Sequence, residues 1–109
     1  MQTQTQRSKV FICNKGGYDY GKACSFGDIV YITSGQLNID DLNSMYRKSK
    51  KALKDSSPED FILITGLSSF TIILSCLFSA KFGKVNWLMQ SHGEYKAVTL
   101  VFPTGDRSE

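Results

Sequence analysis

Apolar and polar positions alternate along this chain in short blocks, each about the length of one secondary-structure element. Short apolar runs that end in polar or glycine-containing turns are typical of strands. Such runs cover residues 9–13, 28–33, 61–65, 84–90 and 95–102. Segments with helical periodicity separate the first four runs, so the pattern predicts strands that alternate with helices.

Residues 38–54 form the clearest helical pattern. Their apolar side chains recur every three or four positions and form one face, and Asn38 is placed to cap the N-terminus. Pro58 follows the pattern and stops the helix. A shorter pattern over residues 18–26 predicts two helical turns that Gly27 terminates.

A second long helix is predicted to follow a cap at Ser68 or Ser69 and to end at Phe82. One side of this helix forms an apolar core stripe, and the opposite side carries no charge. Because a surface helix of a monomer normally shows charge there, we expect residues 69–82 to be buried against a second subunit of a homo-oligomer. The uncharged side consists of Thr71, Ile72, Ser75, Cys76 and Ser79.

The order of the elements favours one fold class. Helices alternate with the first four strands, and residues 91–94 fit a hairpin turn between the last two. This order predicts an α/β fold, a small three-layer sandwich with a mainly parallel sheet and a C-terminal antiparallel hairpin. We expect a single domain over residues 9–103, a flexible leader at 1–8 and a flexible tail at 104–109.

Composition and charge agree with one globular domain. The chain has 109 residues, of which 41% are hydrophobic, and a formal net charge of +3, which permits an anionic partner without requiring one. Residues 61–80 carry no charge over nearly the length of a membrane span. Six of them are Ser or Thr, and Gly66 interrupts the run, which favours a buried strand, a turn and a buried helix. With no secretory signal at the N-terminus, we expect a cytoplasmic protein without a membrane segment.

The three cysteines are Cys13, Cys24 and Cys76. Their odd number and wide spacing predict reduced, buried thiols rather than a disulfide framework. No paired cysteine motif occurs, and His92 is the single histidine. We therefore expect neither a metal site nor a cofactor.

Two predicted strand ends are candidate ligand sites, because ligands of open parallel sheets bind outside the carboxyl ends of the strands. A glycine-containing segment follows the first strand, and a segment that opens a helix follows the third, where free N–H groups suit an anion. Lys15 adds charge, and Tyr18 or Tyr20 can stack on a base. Neither segment matches a P-loop or a GxGxxG motif, and the alternative is that these residues only form turns and a helix cap. The candidate ligand-binding residues are Asn14, Lys15, Gly16, Gly17, Tyr18, Asp19, Tyr20, Gly66, Ser68 and Ser69.

The C-terminal half of the first long helix is strongly basic. A basic cluster can bind nucleic acid, or it can be a solvated face that complements the helix dipole. The second interpretation is favoured because no aromatic residues are interleaved to stack bases. We call this cluster the basic face; it consists of Arg47, Lys48, Lys50, Lys51 and Lys54.

No catalytic constellation stands out. Cys13 or Cys24 can pair with His92 only if distant parts of the chain meet, and a packed thiol and a turn histidine are the simpler interpretations. Asp19, beside the glycine turn, is the single acid in a suggestive setting. The sequence favours a binding protein over an enzyme without deciding between them.

Several short motifs resemble those of a group of small phage-encoded proteins. The resemblance covers about residues 9–102 and implies a viral or prophage origin and a site of action in the cytoplasm of an infected bacterium. It implies no established activity, and the family pattern has a histidine where this chain has Tyr18, which puts any imidazole role there in doubt. The motifs are N-K-G-G-Y-D-Y (14–20), F-G (26–27), M-Y-R (45–47), L-K-D-S-S-P-E-D (53–60), T-G-L-S (65–68) and F-G-K-V-N (82–86).

Together these features predict a small, oligomeric phage accessory protein. We expect it to bind an anionic small molecule, a nucleotide or a nucleotide-derived signal, without catalysis, and thereby to counter host defence. One alternative is an interaction module that inhibits a host protein. Another is a weak nucleic-acid binder that uses the basic face.

Overall fold

The computed structural model describes residues 7–102. The predicted tail and all but two residues of the predicted leader lie outside this range. Arg7 and Ser8 already contact the domain. The Arg7 guanidinium pairs with the Asp28 carboxylate at 3.5 Å, and the Asp28 N–H donates to the Ser8 carbonyl at 2.8 Å.

The described chain forms one five-stranded sheet with two α-helices. The strand order is β2-β1-β3-β4-β5, and neighbouring strands are parallel except for β4 and β5. The predicted α/β fold, with a mainly parallel sheet and a C-terminal antiparallel hairpin, is confirmed. The elements are β1 (Lys9–Lys15), β2 (Asp28–Ser34), α1 (Leu42–Ala52), β3 (Phe61–Leu63), α2 (Ser68–Phe82), β4 (Lys84–Ser91) and β5 (Glu94–Val101).

The two faces of the sheet are covered differently. Both α-helices pack on one face, which we call the helix face, whereas the 3-10 helix Gly21–Ser25 packs on the other, which we call the open face. This 3-10 helix forms the third layer of the sandwich, and it is shorter than the two helical turns predicted over residues 18–26. Ala23 is the one buried residue of this 3-10 helix, so the segment lacks the apolar stripe that a longer helix would bury.

The main core lies between the sheet and the helices. Alternate residues of the central strands point into it, as expected for strands covered on both faces. The partner side chains from α2 recur every four positions, which places them on one side of that helix. The centre of this core consists of Phe11, Ile62, Val85, Phe70, Leu74 and Phe78.

The predicted caps of both helices are wrong. Asp41 rather than Asn38 caps α1, because the Asp41 carboxylate accepts the Ser44 N–H at 3.0 Å. The Asn38 side chain instead accepts the Asp40 N–H at 3.0 Å and closes a turn before the helix. At α2 no serine caps the helix; Leu67 occupies the N-cap position without a side-chain hydrogen bond.

The second long helix ends at Phe82 as predicted, whereas the predicted termination of a helix by Gly27 is wrong, because Phe26 is the C-cap of the 3-10 helix and Gly27 has no positive φ. Gly83 ends α2 in the left-handed conformation, with φ of 73°. His92 and Gly93 form the two-residue turn between β4 and β5, with φ of 53° and 80°. Two successive positive φ values are characteristic of the tight turns that match the twist of a hairpin.

Burial of the cysteines agrees with the prediction only in part. All three thiols are free, but Cys13 is buried whereas Cys24 and Cys76 are exposed. Cys76 is exposed because it lies on the side of α2 opposite the buried Phe70, Leu74 and Phe78, whereas Thr71, which was predicted on the same uncharged side as Cys76, is buried. Burial raises the pKa of the Cys13 thiol to about 11, although the nearby Thr71 hydroxyl, 3.6 Å away, lowers it somewhat.

No helix within residues 7–102 is long and apolar enough to cross a membrane. No group of three or more His, Cys, Asp or Glu side chains within residues 7–102 is arranged to hold a metal ion.

Candidate ligand-binding site

The first predicted ligand-binding segment, residues 14–20, begins with a residue whose side chain stabilises the sheet. Asn14 donates through its side chain to the Gly35 carbonyl at 2.9 Å and accepts from the Thr33 hydroxyl at 2.8 Å. These bonds join the carboxyl ends of β1 and β2. The Asn14 amide is therefore used within the edge of the sheet.

Beyond Asn14 the chain turns onto the open face, where four tyrosines gather. The rings of Tyr18 and Tyr20 lie 4.9 Å apart between centroids, and the Lys15 ammonium lies 5.6 Å from the centroid of Tyr31. Tyr20, Tyr31 and Tyr95 all pack on the same apolar cluster beneath this face. We call Tyr18, Tyr20, Tyr31 and Tyr95 the tyrosine patch.

Tyr18 is the most accessible member of the tyrosine patch. Its side chain is 56% exposed, and its hydroxyl donates to the Gln90 side chain near the end of β4 at 3.4 Å. The bond is long and exposed, so it orients the ring without locking it. Tyr18 therefore presents a free ring face to solvent.

Burial raises the pKa of Tyr20 above its ordinary value, and the phenol groups of Tyr18 and Tyr31 raise it further. The pKa of Tyr95 is raised in the same way, first by burial and then by Tyr18 and Tyr20. Both phenols therefore stay protonated at neutral pH. The patch therefore presents the neutral phenols of Tyr20 and Tyr95 beside the ammonium of Lys15, and the Asp19 carboxylate lies close enough to help raise the pKa of Tyr95.

Asp19 and the adjacent glycines have separate roles. The Asp19 carboxylate accepts the Gly21 N–H at 2.8 Å and starts the 3-10 helix, so it serves a turn. Gly16 and Gly17 are exposed, neither has a positive φ, and a Cβ at either position meets no atom within 4 Å. The fold itself does not require glycine at these two positions.

The second predicted segment leaves the same edge of the sheet but turns to the helix face. Gly66, Ser68 and Ser69 line a cavity of about 340 Å³ at the N-terminus of α2, and Asp40 lines it as well. A carboxylate at this point disfavours an anion. The structure therefore places the two predicted segments near one edge, but it directs their side chains to opposite faces.

Sequence reasoning missed Tyr31 and Tyr95. Tyr31 lies beside Ile12 in the register of β1 and β2, and Tyr95 lies beside Gln90 in the register of β4 and β5. Alternation along each strand does indicate which face these tyrosines share. Their proximity to Tyr20 depends on the strand order, which no local pattern contains.

The basic face lies on α1 and on the 3-10 helix Leu53–Asp55 that extends it, on the helix face of the sheet. All five of its side chains are exposed. The ion pair between Arg7 and Asp28 is the only one within residues 7–102, so no carboxylate lies within 4 Å of these cations. The Lys50 ammonium lies 5.8 Å from the centroid of the Tyr46 ring.

The residues weighed for a Cys–His pair have other contacts. Cys13 contacts Thr71 in the core, and Cys24 is exposed on the 3-10 helix. His92 lies at the exposed tip of the hairpin, where its ring contacts the Ser91 hydroxyl at 3.1 Å.

The fold and these sites define a small α/β protein with a surface aromatic patch and a separate basic helix. A family model described as "Phage Pam3 gp32-like protein" matches residues 3–102. Since this match covers nearly the whole chain, the protein belongs to that family. This family membership confirms the predicted phage origin. No curated protein and no solved structure matches the chain.

Proposed function

We propose that this phage protein binds a nucleobase-containing anion, a nucleotide or a nucleotide-derived signal, on the tyrosine patch. The gathering of four tyrosines on one face, with the Lys15 ammonium beside Tyr31, carries the proposal. Aromatic side chains on an accessible surface stack on bases, and each stacked base typically contributes about 1–3 kcal/mol. Lys15 supplies the positive charge for a phosphate.

The open backbone beside Lys15 supports the same proposal. Because Gly16 and Gly17 carry no side chain and face open space, a phosphate can approach the main chain there. The fold does not explain glycine at these positions, whereas a ligand in contact with the backbone does. We therefore expect Gly16→Ala/Gly17→Ala to weaken ligand binding without changing the stability of the protein.

Binding without turnover fits the chemistry of the patch. Asp19 is held by the Gly21 N–H, and the raised pKa of Tyr20 makes its phenol a poor general base at neutral pH. We propose that the protein sequesters its ligand stoichiometrically. Removal of a nucleotide signal from the host is a means by which such a protein counters host defence.

Calorimetric titration with a panel of nucleoside phosphates and cyclic dinucleotides tests this proposal, with tripolyphosphate as the probe that lacks a base. Tyr18→Ala and Tyr20→Ala are each expected to weaken nucleotide binding by about tenfold or more. Tyr46→Ala is the matched control, because Tyr46 is an exposed tyrosine on the helix face. Tripolyphosphate should bind weakly or not at all.

Three results would overturn the proposal: no nucleotide binding below about 1 mM, equal affinity for tripolyphosphate, or an equal loss in Tyr46→Ala. The Ser68→Ala/Ser69→Ala variant tests the second predicted segment separately. A loss of nucleotide affinity in that variant alone would move the site to the N-terminus of α2.

A further inference from the structure

We propose that the groove between α1 and α2 is a docking site for an acidic amphipathic helix of another protein. This inference is independent of the proposed function, because the groove lies on the helix face and the tyrosine patch lies on the open face. The groove has a volume of about 770 Å³. Its two walls are helices, which form elongated channels that a third helix can fill.

The floor of the groove is apolar. Tyr46 and Leu53 lie seven positions apart on α1 and its short 3-10 extension, and Leu77 and Ala80 lie three positions apart on α2. These spacings place each pair on one side of its helix. The Tyr46 side chain is 43% exposed and Ala80 is exposed, so the floor is accessible to a partner. An apolar strip of this kind suits the apolar face of a bound helix.

The rim of the groove is uniformly positive. Arg47, Lys50 and Lys51 line it from α1, Lys54 lines it from the 3-10 extension, and no acidic residue lines it. No carboxylate among residues 7–102 pairs with any of these four cations. Uncompensated positive charge beside an apolar floor is complementary to a partner with acidic residues beside an apolar stripe.

Lys81 has a different role at the end of the groove. Its ammonium donates to the carbonyls of Leu53 and Lys54 at 2.6 and 3.1 Å and to the Ser56 hydroxyl at 3.2 Å. Lys81 therefore satisfies the C-terminal carbonyls that follow α1 and ties α2 to them. This contact holds the two walls of the groove in register.

The shape and lining of the groove favour a helix over the other anionic partners. A nucleic-acid strand uses phosphate contacts and stacked bases, and Tyr46 is the single aromatic residue of the lining. An anionic membrane is a broad surface that would contact the rim and leave the floor empty. A helix with an apolar stripe and flanking Glu or Asp residues fills both parts of the site.

The test measures fluorescence anisotropy of a labelled synthetic peptide of about 18 residues, with Leu at helical spacing and Glu at the flanking positions. Two peptides serve as comparisons: one with Lys in place of every Glu, and one with the original composition scrambled so that no apolar stripe remains. Only the acidic amphipathic peptide is expected to bind the full-length protein.

The variants distinguish an effect of the groove on peptide binding from an effect of the overall charge of the protein. Lys50→Glu/Lys54→Glu is expected to raise Kd by about tenfold or more, and Ala80→Glu, which places a like charge on the floor, should do the same. Lys22→Glu/Lys96→Glu changes the net charge equally at exposed positions away from the groove and should leave Kd unchanged. Circular dichroism of each variant establishes that it is folded.

Several results would overturn the proposal. They are the absence of peptide binding below about 1 mM, equal binding of the scrambled acidic peptide, or equal losses in the groove variant and its charge-matched control. The same protein is titrated with single-stranded DNA of about 20 nucleotides and with phosphatidylglycerol vesicles. If either binds more tightly than the peptide and is lost in Ala80→Glu, the groove belongs to that partner instead.

Discussion

The ammonium of Lys15 lies over the ring of Tyr31, 5.6 Å from the ring centroid. This contact joins the end of β1 to the middle of β2 and holds a positive charge beside the tyrosine patch. A cation over an exposed aromatic ring contributes about 0.5–1 kcal/mol, which is enough to bias the side chain without fixing it. Lys15 can therefore leave Tyr31 when a phosphate arrives.

The raised pKa values of Tyr20 and Tyr95 predict a specific pH dependence. The unfolded phenol has a pKa of about 10, and the folded pKa is higher, so the fold favours the neutral form. The resulting stabilisation is fully present below pH 10 and is lost as the pH rises through the folded values. Urea unfolding measured from neutral to strongly alkaline pH checks this loss. The Tyr20→Phe variant should lose less stability at alkaline pH than the wild type, because it has no phenol at this position to ionise. Identical plots of stability against pH for the two proteins would contradict the raised pKa of Tyr20.

Cys13 should resist alkylation in the folded protein. At pH 8 a thiol with a pKa of about 11 is only about one part in a thousand thiolate, and the side chain is also buried. Timed alkylation with iodoacetamide, read by mass spectrometry, should modify Cys24 and Cys76 first. In the variant Cys24→Ser/Cys76→Ser, the remaining thiol should react only after urea is added. Rapid reaction in buffer would contradict the burial of Cys13.

Asp60 anchors the loop before β3 to the start of β1. Its carboxylate, in a residue only 1% exposed, accepts the N–H groups of Lys9 and Ser57, each at 2.9 Å. Asp60→Ala leaves these donors without a partner and should lower the free energy of unfolding by about 2–4 kcal/mol. Chemical denaturation measures the change. Glu59→Ala, at the exposed neighbouring position, is the control and should change stability by no more than about 0.5 kcal/mol; equal effects would refute this role.

We also propose that the exposed side of α2 contacts a second copy of the chain. Ile72 is 61% exposed beside a cavity of about 470 Å³ whose lining, which includes Trp87 and Phe102, carries no charge. An exposed helix side next to an uncharged groove suits a two-fold contact, because each copy supplies both a helix and a groove to the interface. Light scattering should show an oligomer that Ile72→Glu dissociates. Ile39→Glu, at an equally exposed isoleucine before α1, should leave it intact, and a wild-type monomer would count against the interface.

Local signals were sufficient for most of the fold. The apolar runs predict the strands, Gly83 can adopt the left-handed conformation that ends α2, and Gly93 permits the tight turn between β4 and β5. The elements and the hairpin therefore follow from the sequence. The cap of α1 did not follow, because Asn38, Asp40 and Asp41 are all capping types. The choice among them depends on how the chain leaves β2.

The candidate site shows the limit of local reasoning more clearly. Tyr18 and Tyr20 were identified because they follow the first strand, at a place where ligands of parallel sheets bind. Tyr31 and Tyr95 join them only because β2 lies beside β1 and the 3-10 helix crosses the open face. The exposure of Cys76 was missed for a different reason: this residue lies on the side of α2 opposite the buried stripe, which was predicted to be covered by a second subunit and which faces outward in the single chain.

The most direct test of nucleobase binding is an NMR titration that follows the ring protons of Tyr18 and Tyr20. A stacked base shifts the ring protons beneath it, whereas a phosphate bound by charge alone does not. We predict that nucleotides shift both tyrosine resonances while tripolyphosphate leaves them in place. Shifts confined to Ser68 and Ser69, or to the groove between α1 and α2, would contradict the account, as would the absence of any shift at millimolar nucleotide.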